Sequence, residues 1–372
     1  GDAASNTTFA GSIGGTGGLT KDGASTQILS GSNGYSGTTT VSAGTLSITG
    51  SINSSATIAV NGGLLSTSGA DKLANTAAVT VGGGTLTIGG NDTIGSLTLN
   101  SGTIGGTATL TATTYGLAAG TVDGNLGTGT LNKNNFGTVT LNGTSAATAV
   151  NISLGALTLG ANNRLADTAT VTVSNTGGLI LGAFSDTVAT FNITGASASI
   201  NSGGGTLTAT TYNLGGGLVG GLGLGTINST GNVTLSGTAA ALTVNITAGT
   251  LTLGSNDRLA NGATVTVSGG ALGTDVGRTD TVSIFNMSSG ALSGTGTLTA
   301  TTYGLSGGTV TGNLGTGTIN STGSVALNGT AGALAVNVTA DTLTLGSANR
   351  LANTATVAVS GTGILNMSTF ID

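Results

Sequence analysis

The chain has 372 residues, 71 of them glycine, and it contains no proline, cysteine, histidine or tryptophan. Only 5% of the residues are charged, the net charge is -5, and 37% of the residues are hydrophobic. This composition excludes disulfides, thiolate chemistry and histidine-based triads. It also lacks the basic stripe that nucleic-acid binding requires. The hydrophobic residues can nevertheless form an apolar core if they are periodic.

Short strands separated by glycine-rich turns are predicted for residues 1–60. The first strand is expected from Thr7 to Ile13, and the next three contain Ile28-Leu29, Thr38 to Val41 and Leu46 to Ile48. Apolar residues alternate with Thr and Ser in these segments, which is typical of strands. Glycine recurs every few residues and opposes a helix. No run of 18 apolar residues occurs, so no transmembrane helix is predicted.

Residues 61–372 repeat with a period of about 92–94 residues and form about four modules, the last of them truncated. Three sequence anchors recur once in each module, which is the mark of a repeat architecture. The first, TLTATTY, ends at Tyr115, Tyr212 and Tyr303. The second is a basic residue before Leu-Ala, found at Lys72, Arg164, Arg258 and Arg350. The third is an asparagine between β-branched residues, found at Asn151, Asn245 and Asn337.

Coils of nearly constant length favour an all-β fold in which one rung stacks on the next, a parallel β-helix or β-solenoid. We expect residues 1–372 to form a single continuous solenoid, with Leu, Val and Ile pointing inward and Thr, Ser and Asn pointing outward. At ~4.8 Å per rung, about 20 rungs would make a rod of about 95 Å. The chain begins without an initiator methionine or an apolar leader, so we expect a processed piece whose end rungs are covered by neighbours.

Residues 14–48 read GGTGGLTKDGASTQILSGSNGYSGTTTVSAGTLSI. The run Gly17-Gly18-Leu19-Thr20-Lys21, the pair Gly34-Tyr35 and the run Ala43-Gly44-Thr45-Leu46 closely resemble the autotransporter-associated β-strand repeat of bacterial autotransporter passenger domains. The asparagine of that repeat falls one residue early, at Asn33. The resemblance implies a right-handed parallel β-helix that is exported to the bacterial cell surface.

The recurring residues have structural and functional interpretations. Each basic residue follows an Asp or Asn, which favours a turn. The aliphatic part of the basic side chain can then cover a strand. The alternative is that the basic residues form a row of ligand contacts. The tyrosines are expected to close a corner of each module, with a stacking row for sugars as the alternative. The asparagines are interpreted as structural positions of a repeat ladder.

Enzyme activity is not expected. All twelve acidic residues are aspartates, and no Asp-Asp or Asp-x-Asp pair supplies the close carboxylates that polysaccharide-cleaving enzymes use. No cofactor and no metal site is predicted. Calcium has only single Asp turns to bind to, because the calcium-roll repeat is absent.

The sequence therefore predicts a non-enzymatic extracellular structural or adhesive protein, a surface-displayed rod or filament component. It would act by self-association, end-to-end or lateral, or by multivalent adhesion to cell-surface or matrix ligands. The alternatives are a carbohydrate-active β-helix enzyme and an ice-binding protein with Thr-x-Thr arrays. The uneven coil lengths argue against threonines that align in one regular plane.

Overall fold

The computed structural model describes residues 6–367, and these residues are all-β without a helix. Their 33 strands pair in parallel and coil into a β-solenoid of about 19 turns, which confirms the predicted fold class. The strands are β1 (Thr7–Phe9), β2 (Leu19–Lys21), β3 (Thr26–Leu29), β4 (Thr39–Val41), β5 (Thr45–Ile48), β6 (Thr57–Val60), β7 (Leu64–Thr67), β8 (Ala78–Thr87), β9 (Asp92–Gly105), β10 (Thr109–Leu117), β11 (Gly120–Val122), β12 (Asn125–Leu126), β13 (Thr130–Leu141), β14 (Ala149–Leu159), β15 (Thr170–Val173), β16 (Gly178–Ile180), β17 (Asp186–Ile193), β18 (Ser199–Asn201), β19 (Leu207–Val219), β20 (Thr226–Leu235), β21 (Thr243–Ile246), β22 (Thr250–Leu253), β23 (Thr264–Thr274), β24 (Thr279–Gly294), β25 (Thr297–Leu305), β26 (Gly308–Val310), β27 (Asn313–Leu314), β28 (Thr318–Ser321), β29 (Val325–Leu327), β30 (Ala335–Val338), β31 (Thr342–Leu345), β32 (Thr356–Val359) and β33 (Ile364–Asn366).

The strands predicted in the first 60 residues are largely those observed. Strands β3, β4 and β5 lie where the alternating segments place them. The first strand ends at Phe9 rather than Ile13, and the short strand β2 was not predicted. Strand β2 has only three residues, so the alternation that reveals a strand is too brief to be recognised there.

The chain divides into two compact units after Val188. In the first unit, β8 pairs with β9 in parallel and sets Leu86 beside Ile104. In the second unit, β19 pairs with β20 and sets Tyr212 beside Ile227. Buried and partly exposed residues alternate along these strands, so each rung places its aliphatic side chains on those of the next rung. Each such side chain contributes roughly 1.5–3 kcal/mol by burial.

The longest strands run through a bend and contribute to two faces of the solenoid. Pairing between β8 and β9 shifts register after Val81 and again after Gly82, and the pairing of β13 with β14 shifts between Lys133 and Thr138. On either side of each bend the residues remain paired one to one. The bends therefore interrupt the pairing locally, and the straight segments on either side keep their register.

Residues 6–367 contain no helix long and apolar enough to span a membrane. The same residues hold no group of three or more His, Cys, Asp or Glu side chains that could bind a metal ion.

Candidate functional site

Each recurring basic residue follows a residue in the left-handed backbone conformation. Asp71, Asn163, Asp257 and Asn349 have φ angles of 51°, 55°, 50° and 56°. Asp and Asn tolerate this region better than other residues that carry a side chain. The four basic positions, Lys72, Arg164, Arg258 and Arg350, therefore share one type of tight corner.

The arginine side chains in these corners bind backbone carbonyls of their own solenoid. The Nη1 atom of Arg164 donates to the carbonyl of Asn142 at 2.7 Å, and Nη1 of Arg258 donates to that of Ser236 at 2.8 Å. Arg350 repeats the arrangement with the carbonyl of Asn328 at 2.7 Å. Each guanidinium thus joins two turns, because its carbonyl partner lies 22 residues earlier in the chain.

A buried aspartate completes three of these corners. Oδ2 of Asp280 accepts hydrogen bonds from the backbone N–H groups of Arg258, at 2.6 Å, and Leu259, at 3.2 Å. Asp92 and Asp186 bind their own corners in the same way. In all three, Oδ1 is buried without a hydrogen-bond partner. These three aspartates lie 94 residues apart in the sequence, and this once-per-module spacing was the available signal of their role.

Burial raises the pKa of all three aspartates, since a charged carboxylate loses its water. The pKa of Asp280 is raised to about 6, and the negative charge of Asp257 adds to the effect of burial. Hydrogen bonds from the backbone N–H groups of Arg258, Leu259 and Thr281 lower the pKa but are outweighed. Burial is also the main cause of the raised pKa values of Asp92 and Asp186.

The recurring tyrosines lie inside the solenoid, fully buried. The hydroxyl of Tyr303 accepts a hydrogen bond from the Ala300 N–H at 2.9 Å and lies 3.0 Å from the carbonyl of Leu298 and 3.3 Å from that of Thr316. Tyr115 and Tyr212 make the corresponding contacts. Burial raises the pKa of Tyr212 to about 12. With the ring faces covered by the core, these tyrosines hold their corners and offer no stacking surface to a sugar.

Two buried lysines each hold a corner of the solenoid that was not predicted from the sequence. The Nζ atom of Lys21 donates to the carbonyls of Asp22, at 2.9 Å, Gly23, at 2.6 Å, and Ala43, at 3.2 Å. Lys133 points inward in the same way and donates to the carbonyls of Asn135 and, at 3.0 Å, Leu154. Burial lowers the pKa of Lys133.

The lysine corners also explain two left-handed glycines. Gly44 and Gly155 have φ angles of 65° and 64°. A Cβ on either glycine would lie 2.7 Å from the lysine Nζ and closer still to backbone carbonyls, so no other residue fits. The available signal was the repeated sequence Leu-x-Lys, followed by such a glycine 23 or 22 residues after the lysine.

The recurring asparagines form part of an outward column. Nδ2 of Asn245 donates to Oδ1 of Asn228 at 3.0 Å, and Nδ2 of Asn228 approaches Oδ1 of Asn213 at 3.3 Å. Asn151 bonds in this way to Asn132, and Asn337 to Asn320, each at 2.9 Å. We call Asn213, Asn228 and Asn245 the asparagine column. Each amide in it uses one donor along the column and has a second N–H directed elsewhere.

A column of threonines runs beside the asparagine column, two residues earlier on the same strands. It consists of Thr211, Thr226, Thr243 and Thr264, which we call the threonine column. These threonines pair one to one over four successive turns, because the extra residues of the longer coils lie mainly between the strands, as at residues 236–242 and 254–263. The uneven coil lengths therefore do not disturb this part of the surface, contrary to the expectation from the sequence.

The first strands match the model of a known protein family. The chain carries a passenger-associated-transport-repeat at residues 19–48. This repeat is typical of autotransporter passenger domains, and the match confirms the predicted resemblance. No curated protein and no solved structure matches the chain significantly.

Within the passenger-associated repeat, buried polar side chains hold neighbouring turns together. Oδ1 of Asn33 accepts a hydrogen bond from the Ile13 N–H at 3.0 Å, and its Nδ2 donates to the carbonyl of Ser51 at 3.1 Å. The hydroxyl of Tyr35 lies 2.7 Å from that of Thr39. Tyr35, which carries part of the resemblance, and the displaced Asn33 thus both help to hold the solenoid together.

Proposed function

We propose that this chain is a non-enzymatic structural or adhesive part of a passenger that is displayed on the bacterial cell surface. The passenger-associated repeat supports export, because it is typical of passenger domains. The β-solenoid supports a structural role, since every turn adds the same surface again.

One observation carries the proposal. The recurring charged and aromatic side chains bind the backbone of their own corners, whereas the outward face of the second unit repeats uncharged Thr and Asn over successive turns. Such a face can form hydrogen bonds with many partners without charge repulsion. Individually weak contacts then add through avidity, which needs repetition rather than a catalytic group.

Two assays on the purified chain test the proposal. We expect residues 1–372 either to associate in sedimentation velocity as concentration rises or to bind cells and coated surfaces in an adhesion assay. We also expect no release of reducing ends from a panel of polysaccharides. A strictly monomeric chain that binds neither cells nor surfaces contradicts the proposal, as does turnover of any polysaccharide.

A further inference from the structure

Two grooves of the same construction lie on the solenoid, one in each unit. The first has a volume of about 270 Å³ and is lined by Thr93, Ile94, Thr111, Ala112, Thr113 and Thr128. The second has a volume of about 360 Å³ and is lined by Thr281, Val282, Thr299, Ala300, Thr301 and Thr316, together with Thr318 and Leu334. We call them groove 1 and groove 2. The six residues correspond one to one, so the repeat has built the same groove twice.

The threonine hydroxyls in both grooves have no hydrogen-bond partner among the residues that the structure describes. None of the threonine side chains in either groove, four in groove 1 and five in groove 2, forms a hydrogen bond with another of residues 6–367. Threonines elsewhere do use their hydroxyls, as Thr39 does with Tyr35 and Ser55. Groove 1 therefore presents four hydroxyls and groove 2 presents five, each able to donate and to accept a hydrogen bond.

Glycines shape the grooves and hold their walls close together. A Cβ on Gly127 would lie 2.2 Å from Oγ1 of Thr111, and a Cβ on Gly315 would lie 2.2 Å from Oγ1 of Thr299. Beneath the grooves are the bonded corners of Tyr115 and Tyr303. The hydroxyls thus stand on a rigid base, which lowers the entropy cost of binding a ligand.

The chemistry of the lining selects the ligand class. No charged side chain lines either groove, so a phosphate, a carboxylate or a cation would find no counter-charge. The lining is mainly hydroxyl and apolar groups, with the amide of Asn75 added in groove 1, and this suits a ligand with hydroxyls on an apolar ring. Small-molecule sites usually have volumes of about 300–1,000 Å³, so these grooves are sized for a short ligand.

We propose that groove 1 and groove 2 each bind a neutral saccharide unit. The inference rests on the proposed adhesive function and gives it a ligand class. With one groove in each unit, a glycan surface that offers many copies would be held by avidity.

The test uses ¹⁵N-labelled residues 1–372 titrated with cellotetraose, mannotetraose and N-acetylchitotetraose, with tetragalacturonate as the anionic comparison. At least one neutral tetrasaccharide should shift the amide signals of Gly129 and Gly317, which lie in the two grooves, and tetragalacturonate should not. The double variant Thr111→Val/Thr113→Val should weaken binding at groove 1 by roughly tenfold and leave groove 2 unchanged.

The reciprocal variant, Thr299→Val/Thr301→Val, should affect groove 2 alone. The matched control is Thr121→Val/Thr140→Val, which removes two hydroxyls from outward strand positions of the first unit that line neither groove. A further variant, Thr128→Leu, fills groove 1 with a larger side chain. The solenoid should accept this change, because Leu224 occupies the equivalent position of the middle module. Circular dichroism of each variant establishes that the solenoid is folded.

The outcomes separate this inference from the proposed function. Shifts at both glycines, each lost with its own double variant, support the saccharide sites. No shift with any neutral tetrasaccharide, or equal shifts with tetragalacturonate, overturns the inference, and continued cell adhesion would then leave the proposed function standing. Cleavage of a tetrasaccharide overturns the proposed function. Thermal hysteresis in solution without saccharide binding also overturns the inference and indicates that the grooves bind ice.

Discussion

The buried carboxyl of Asp280 should make the solenoid less stable at neutral pH than in mild acid. Its pKa is raised from 3.8 to about 6 by burial, so protonation favours the folded state. The sign follows from linkage: a carboxyl whose pKa is raised by folding contributes its stability below pH 4, and that stability is lost as pH rises through 6. Two pKa units correspond to about 3 kcal/mol.

The variant Asp280→Asn isolates this contribution. An asparagine oxygen can still accept from the N–H groups of Arg258 and Leu259, and no charge can form where Oδ1 now lacks a partner. Relative to the wild type, the variant should therefore gain up to about 3 kcal/mol between pH 4 and pH 7.5. The unpaired amide N–H groups cost about 1–3 kcal/mol at every pH, which shifts the whole profile without changing its slope.

The assay is urea denaturation followed by circular dichroism at half-unit steps from pH 4 to pH 8. Asp341→Asn is the matched control, because it removes an exposed carboxylate from the second unit at a position where the left-handed conformation suits Asn. The control should keep the wild-type slope. The reasoning is refuted if wild type and Asp280→Asn have parallel profiles, or if wild-type stability rises steadily from pH 4 to pH 7.

Two further substitutions test the other corners by the same denaturation assay. Tyr303→Phe leaves the buried N–H of Ala300 without its acceptor and should lower the free energy of unfolding by about 1–3 kcal/mol. A decrease below about 0.5 kcal/mol would mean that the hydroxyl contacts do not stabilise the fold. Lys133→Met keeps the length of the stem but removes the ammonium from the carbonyl of Leu154, and it should also cost about 1–3 kcal/mol; a variant as stable as the wild type would contradict the corner described here.

The regular part of the fold was predictable because it depends on local alternation. Strands β3 to β5 follow from the alternation of Thr with Leu, Val and Ile, and the repeated motifs indicate stacked coils. The left-handed conformation at Asn163 and Asp257 follows from the preference of these residues for turns.

The contacts of the corners were not predictable, because they join residues that are distant in sequence. The carbonyls that surround Lys133 come from both its own turn and the next, and alternation does not indicate that a lysine points inward. The grooves arise where threonines of neighbouring turns meet, so Thr93 and Thr111 become neighbours only through the strand register. Repetition signals that such residues matter but not what they contact.

The central claim is that the asparagine column and the threonine column act through many weak contacts. Its most direct test is adhesion of bacteria that display residues 1–372, carrying one, two or three lysines in the asparagine column: Asn245→Lys, then Asn228→Lys, then Asn213→Lys. Lysines at Thr234 and Thr252, on another outward column of the same unit, are the control. We predict a graded loss of adhesion with each added charge and little loss in the control. Complete loss with a single substitution, or equal loss in the control, would contradict the account.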